Sequence, residues 1–474
     1  MGRAGVTRYA FPDNFLWGVA TSAPQIEGGR HEGGRGVSIW DRYADTPGAI
    51  ADGSHADVAC DHFHRWREDI ELMRWLGINA YRFSLAWPRI LPNGTGAVNA
   101  AGLDFYDALV DGLLEAGIEP YPTLYHWDLP QALQDRGGWG ERSVVDAFAE
   151  YADVVTRRLG DRVRNWTTIN EPWCIAVLGH EEGHHAPGHK DPAEGLRVAH
   201  HLLLAHGRAV RAIRDAVPGA KIGIVHNHTP AHPATDSHGD TDAARWFDGF
   251  FNRWFLDPLF RGRYPADAVA DRIASGHLEG PEMHFVQAGD LAAIATPIDF
   301  LGVNYYSRVI MSQNVDGRPE AVKAAPDHEL TDMGWEVHPE GLHETLLHLH
   351  REYGPPEIFI TENGAAYDDP PGPDGLIDDV RRIDYLRTHL SAASRAIADG
   401  VPLAGYFAWS LLDNFEWAHG YQKKFGLVAV DFDTCERTPK NSAHWYRDAV
   451  AANAVDAAAT PSTRGDSRVF DSRN

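Results

Sequence analysis

The chain has 474 residues, 43% hydrophobic and 23% charged, with 43 basic against 67 acidic side chains and a formal net charge of −24. Such a chain can bury a large core. It offers no basic footprint for nucleic acid, and its charge weakly disfavours an anionic substrate. No window approaches the ~18 apolar residues of a membrane span. The first ten residues lack the apolar stretch of a signal peptide, and Cys60, Cys174 and Cys435 are too few and too scattered for a disulfide framework or a zinc motif. The expected location is the cytoplasm.

From the N-terminus, residues 15–21 read as an apolar strand. Phe63, Trp66, Ile70 and Met73 then recur at helical spacing, Gly77 is placed to take the left-handed position after the helix, and 78–84 reads as a strand. This succession of amphipathic helix, glycine and short strand returns at 103–116 with 118–126, and at 144–159 with 163–170. It returns again at 197–217 with 221–227, at 342–354 with 357–362, and at 384–400 with 403–410. With a strand at 298–306 the count reaches eight. Eight strands in alternating order predict an α/β fold, a single (β/α)8 TIM barrel, rather than an open doubly wound sheet. Long strand-to-helix loops at 176–191, 228–241, 308–335 and 365–379 are rich in Gly, Pro, Asp and His, as befits a pocket mouth. Residues 1–453 are expected to form the catalytic barrel, and 454–474, which have no periodicity, a disordered tail without function.

In this register Glu171 ends the fourth strand and Glu362 the seventh, so both face the mouth where barrel active sites lie. His126, Asn304 and Trp409 also stand at strand ends. A single buried glutamate is more often a salt-bridge partner. Two at one mouth, each beside an asparagine, suit glycosidic bond cleavage, in which one carboxyl donates a proton and the other attacks or activates water.

The 26 histidines include the close pairs 62/64, 184/185, 226/228 and 348/350. None has an HExxH or carboxylate-flanked pattern, although alternation puts His226 and His228 on the same side of a short strand. They read as surface and loop histidines, and neither a metal nor a cofactor is expected. The glycine-rich stretch from Gly28 to Gly36 lacks the lysine and following Ser/Thr of a phosphate loop.

Asn170-Glu171-Pro172 and Thr361-Glu362-Asn363-Gly364 resemble the two signatures of glycoside hydrolase family 1, the retaining β-glucosidase family. The resemblance extends from Phe11 to about Tyr446 and includes Phe15-Leu-Trp-Gly18, Gln25-Ile-Glu-Gly28, Arg82-Phe-Ser84, His126-Trp-Asp-Leu-Pro130, Asn304-Tyr-Tyr306 and the run from Trp409 to Trp417. It implies that Glu171 is the general acid/base and Glu362 the nucleophile, with Tyr306 donating to the latter. It further implies a substrate clamp of Gln25, His126, Trp127, Asn170, Asn304, Tyr306, Trp409, Glu416, Trp417 and Phe425. In that clamp Asn170 serves the 2-hydroxyl, Trp409 lies under the sugar, and Glu416 takes the 4- and 6-hydroxyls, which disfavours 6-phosphosugars. Trp173 and Trp335 resemble residues lining the aglycone side, while Cys174 reads as a buried thiol that could touch the aglycone.

One departure is Pro24, where the family usually carries a large residue; a proline there could shift Gln25. The expected activity is that of an exo-acting β-glucosidase on short unphosphorylated β-glucosides or oligosaccharides, in carbohydrate metabolism and cellulose degradation, with no nucleic-acid or membrane partner. The alternatives are net transglycosylation by the same residues and a non-catalytic sugar-binding barrel.

Overall fold

The computed structural model describes residues 7–457. All eight anticipated strands form: β1 (Leu16–Ala20), β2 (Ala80–Ser84), β3 (Glu119–Tyr125), β4 (Asn165–Asn170), β5 (Lys221–Asn227), β6 (Phe300–Asn304), β7 (Ile358–Asn363) and β8 (Leu403–Trp409). They pair in parallel, each with its sequence neighbours, and β8 closes on β1, giving a closed barrel. Most strand residues are buried, because one face meets the barrel interior and the other the helices.

Inside, Tyr121, Phe359, Phe300 and Phe407 fill the barrel, with ring centroids 5.2 to 5.6 Å apart along the Phe300–Phe359–Tyr121–Phe407 chain. This packing makes the floor solid, so a ligand is admitted only from the strands' C-terminal end. The outer layer is α1 (His62–Leu76), α2 (Ala100–Glu115), α3 (Ser143–Leu159), α4 (Pro192–Ala216), α5 (Pro339–Tyr353), α6 (Val380–Ala398) and α7 (Asn441–Ala452). Gly77 ends α1 at φ 72°, the left-handed conformation expected of it. No helix among the described residues is long and apolar enough to cross a membrane.

Three expectations change. Between β5 and β6 the chain forms short helices (His238–Asp248, Trp254–Arg261, Ala266–Ala274 and Asp290–Ile294) that the sequence reading missed. They are brief, and Pro258 interrupts one, so no long 3.6-residue period builds up. The 308–335 loop contains a hairpin, Val309–Gln313 with Pro319–Val322, which joins Ala231–Pro233 in a small sheet at the mouth.

The supposed tail begins with Ala454–Asp456, a strand paired antiparallel with Arg8–Ala10. Asn453, at φ 46°, turns the chain out of α7 and bonds to Trp17 and to the Phe11 carbonyl. Three residues are too few to carry a period, so the sequence hid this closure. The rest of that segment, 458–474, lies outside the described residues.

Phe359 packs against both Tyr121 and Phe300, so Phe359→Ala is expected to cost ~3–5 kcal/mol. The check is a lower urea midpoint at unchanged slope; an unaltered midpoint would show that the floor packing is dispensable.

Candidate active site

Glu171 and Glu362 stand where the strand register predicts, one residue beyond β4 and within the last turn of β7, and both are buried. A cation to which the sequence reading gave no role ties their surroundings together. Arg82, 1% exposed on β2, donates to Glu362 Oε1 at 2.5 Å, to the Thr361 carbonyl at 3.2 Å and to Asn170 Oδ1 at 2.6 Å. Tyr306 donates its hydroxyl to Glu362 Oε2 at 2.7 Å, so both oxygens of that carboxylate are held. The signal available beforehand was an arginine inside an otherwise apolar barrel strand, which must have a charged partner.

Glu171 has a different environment. Asn304 Nδ2 donates to its Oε1 at 2.6 Å, and the thiol of Cys174 donates to its Oε2 at 3.1 Å. Burial, followed by the charge of Glu362, pushes its pKa up to about 7, against the smaller opposing effects of Asn304, Cys174 and Arg82. Cys174 therefore touches the carboxylate, whereas the sequence reading placed it at most near the aglycone.

The other predicted residues form one connected lining. Asn170 Nδ2 is 3.1 Å from His126 Nε2, and the Trp127 indole donates to the Asn170 carbonyl at 2.9 Å. Asn170 already gives its oxygen to Arg82 and Asn304. His126 thus accepts at Nε2 and keeps its proton on Nδ1, which is buried without a partner. The rings of Trp409 and Trp417 lie 6.0 and 5.8 Å from His126, each at 22° to it.

Gln25 donates to Glu416 at 3.4 Å while Ser22, Asn414 and the Phe415 carbonyl fix its amide. Pro24 falls in the first turn of the helix Ala23–Ile26, where a missing N–H costs nothing, and Gln25 stays fully buried and in place. Burial, Glu362 and Glu171 raise Glu416 to about 8.

Phe425 and Trp335 pack beside Tyr306, at 6.0 and 5.2 Å, on the Glu362 side. Trp173 turns away from that group and packs on Phe251 at 4.2 Å. Three non-glycine residues with left-handed backbone, Trp127, Glu171 and Trp417, all belong to this lining. Gly364 completes it, because a Cβ there would lie 1.8 Å from the Trp409 carbonyl oxygen.

The histidine reading is corrected in part. His62, His226 and His228 are buried rather than superficial, and His226 and His228 lie 5.5 Å apart as alternation implied. Alternation gives the side of a strand but not how deeply a following loop covers it.

A closed (β/α)8 barrel whose mouth holds two buried carboxyl groups with unlike hydrogen-bond partners, within a tryptophan-lined polar pocket, is a glycoside-cleaving architecture. Residues 7–455 match the family described as glycosyl hydrolase family 1, and the chain belongs to that family. It is 49% identical to β-glucosidase A of Thermotoga maritima, over 94% of this chain and 99% of that one. It is likewise 49% identical to β-glucosidase A of Acetivibrio thermocellus, over 94% of this chain and all of that one. The crystal structure of a Thermotoga maritima β-glucosidase in complex with glucoimidazole superposes with a TM-score of 0.90 at 49% identity, covering 94% and 99% of the two chains.

Removing the thiol donor in Cys174→Ala takes away a bond that favours the ionised form of Glu171. The Glu171 carboxyl should therefore titrate above its starting value of about 7. Carboxyl 13C NMR, with Glu171→Gln to assign the signal, reads this directly; a downward shift would contradict the hydrogen bond.

Proposed function

We propose that this protein is a retaining, exo-acting β-glucosidase that hydrolyses short, unphosphorylated β-glucosides through a covalent glycosyl-enzyme. The observation that carries the assignment is the opposite treatment of the two carboxyls. Glu362 has a guanidinium on one oxygen and a phenol on the other, as a charged nucleophile requires. Glu171, lifted to about 7, holds a proton near neutral pH and is the general acid for the leaving oxygen.

Attack of Glu362 on the anomeric carbon breaks the glycosidic C–O bond as Glu171 transfers its proton to the departing oxygen. The ester then formed at Glu362 is neutral. Loss of that charge lowers the pKa of Glu171, which now takes a proton from water as the water attacks the same carbon. The second displacement restores the β configuration.

In the pocket, His126 and Asn170 serve the ring hydroxyls, and Trp409 offers its flat surface to the C–H face. A hydrogen bond from Asn170 to the 2-hydroxyl strengthens as the ring flattens and is worth several kcal/mol. Glu416, near 8, carries a proton at neutral pH and so serves hydroxyls as both donor and acceptor. A 6-phosphate would meet this acid and Gln25 rather than a cation, since Arg82 is committed to Glu362 and Asn170. Trp335, beside Tyr306, lines the entrance toward the leaving group; Trp173, packed on Phe251, borders it from the Glu171 side. Cytoplasmic cleavage of cellulose-derived oligosaccharides is the physiological setting we infer, from the named activities of the relatives.

Glu362→Ala should nearly abolish turnover, and azide should restore it with formation of the α-glycosyl azide, visible by NMR. A β-azide from this variant would reverse the two roles. Glu171→Ala should slow substrates with poor leaving groups ~10²–10⁴-fold more than activated aryl glycosides, because only the former need the proton. Equal losses in kcat/KM across a leaving-group series would remove Glu171 from the acid role.

A further inference from the structure

We propose that His180, His189 and Glu194 form a binding site for a divalent transition metal, Zn²⁺ by ligand class, next to the segment that follows Glu171. One ligand atom from each residue lies within 4.8 Å of those from the other two. His180, at 1% exposed, sets the geometry. Its Nδ1 donates to the Ile175 carbonyl at 2.8 Å, which leaves Nε2 as the lone-pair nitrogen. That nitrogen is buried and has no hydrogen-bond partner. A histidine whose other nitrogen is tied to a backbone carbonyl is how metal sites fix the ligating tautomer.

Across from it, His189 Nδ1 lies 3.2 and 3.0 Å from the two oxygens of Glu194, and its ring stands at 86° to that of His180. A metal would replace the proton these two groups share, with His189 carrying its hydrogen on Nε2 instead. Zinc bonds of about 2.0–2.2 Å place tetrahedral ligand atoms about 3.4 Å apart. Small rotations of His189 and Glu194, whose side chains are 41% and 15% exposed, close that difference while His180 stays fixed. The backbone already holds the three together: His189 N–H donates to the Gly179 carbonyl and Asp191 N–H to the His180 carbonyl, and Asp191 caps α4 three residues before Glu194. Two histidines and a glutamate with an open fourth position form a recognised zinc ligand set.

Arg197, on α4, is a cation whose charge reaches His180, but its Nε is held by the Gly140 carbonyl at 3.0 Å rather than by a ligand atom. A similar trio, His232, His338 and Glu344, is less suited. There the Arg308 guanidinium donates to His232 Nδ1 at 3.0 Å, which places a cation beside the ligand and sends the ring proton toward Glu344. An ion at the first site would bind the π-helical turn Cys174–Glu181, which carries the thiol on Glu171, to the first turn of α4.

The test uses the full-length protein, freed of metal with a chelator and titrated with Co²⁺ and Zn²⁺. Expected are one ion per chain by calorimetry, the visible absorption of four-coordinate Co²⁺, and a raised Tm with Zn²⁺. His189→Ala and Glu194→Gln, both at solvent-reaching positions, should each weaken binding about tenfold or more, whereas His232→Ala should leave it unchanged. Absence of stoichiometric binding, or equal affinity in His189→Ala and the parent protein, overturns the proposal.

Discussion

The active site depends on one buried cation. Arg82 reaches from β2 across the barrel to β7 and β4, and its rigid fork sets the positions of Glu362 and Asn170 together. An ion pair this deep has lost hydration worth several kcal/mol per ion, so it persists only because its geometry and remaining hydrogen bonds are satisfied. The charge arithmetic of the pocket follows. Glu171, Glu362 and Glu416 share one small volume with a single arginine, and the arginine is bonded to Glu362. Glu171 and Glu416 must bear both burial and the charge of that neighbour, which is why they rise to about 7 and about 8. The difference between the proposed nucleophile and the proposed acid is thus not a property of either glutamate alone. It is decided by which carboxylate the arginine touches.

The backbone around this pair is under tension. Trp127, Glu171 and Trp417 each adopt a left-handed conformation, at about 1–3 kcal/mol apiece. Each is compensated locally: the Trp127 indole bonds to the Asn170 carbonyl, the Glu171 amide to the Val225 carbonyl, and the Trp417 amide to the Phe415 carbonyl. The solid aromatic floor beneath gives these turns an unyielding base. Strain at these three positions, over a rigid barrel, orients the side chains before a ligand arrives.

The barrel was legible because its strands are long enough for a period and each is announced by a helix and a glycine. Glu171 and Glu362 were legible for the same reason, as carboxylates where an apolar run ends. What stayed hidden depends on contacts between distant residues. Arg82 reads as one charge in a strand until β7 is placed opposite it, 280 positions away in the chain. Cys174 reads as a plain thiol until the turn after β4 folds it back onto Glu171. The strand Ala454–Asp456 offers too few residues for any pattern, and it forms because Arg8–Ala10 presents a free edge. His226 and His228 were placed on the correct side of their strand but at the wrong depth, since depth is set by the helices packed over β5.

Specificity follows from the same separation of charged and neutral groups. The proposed clamp residues Gln25, His126 and Asn170 are uncharged, and each has part of its hydrogen-bonding capacity already engaged by the protein. Ser22, Asn414 and the Phe415 carbonyl leave Gln25 little freedom, and Asn170 holds the His126 ring through its Nε2. A polyol entering such a site replaces water at fixed donors rather than ordering loose side chains, so little of its binding energy is lost to rotamer entropy. In the proposed mechanism charge is confined to the reacting bond, where Arg82, Glu362 and Glu171 surround a carbon that becomes cationic. Neutral, pre-oriented groups around the ring and an asymmetric charge pair at the anomeric centre divide the work, one part selecting an uncharged sugar and the other stabilising its oxocarbenium ion.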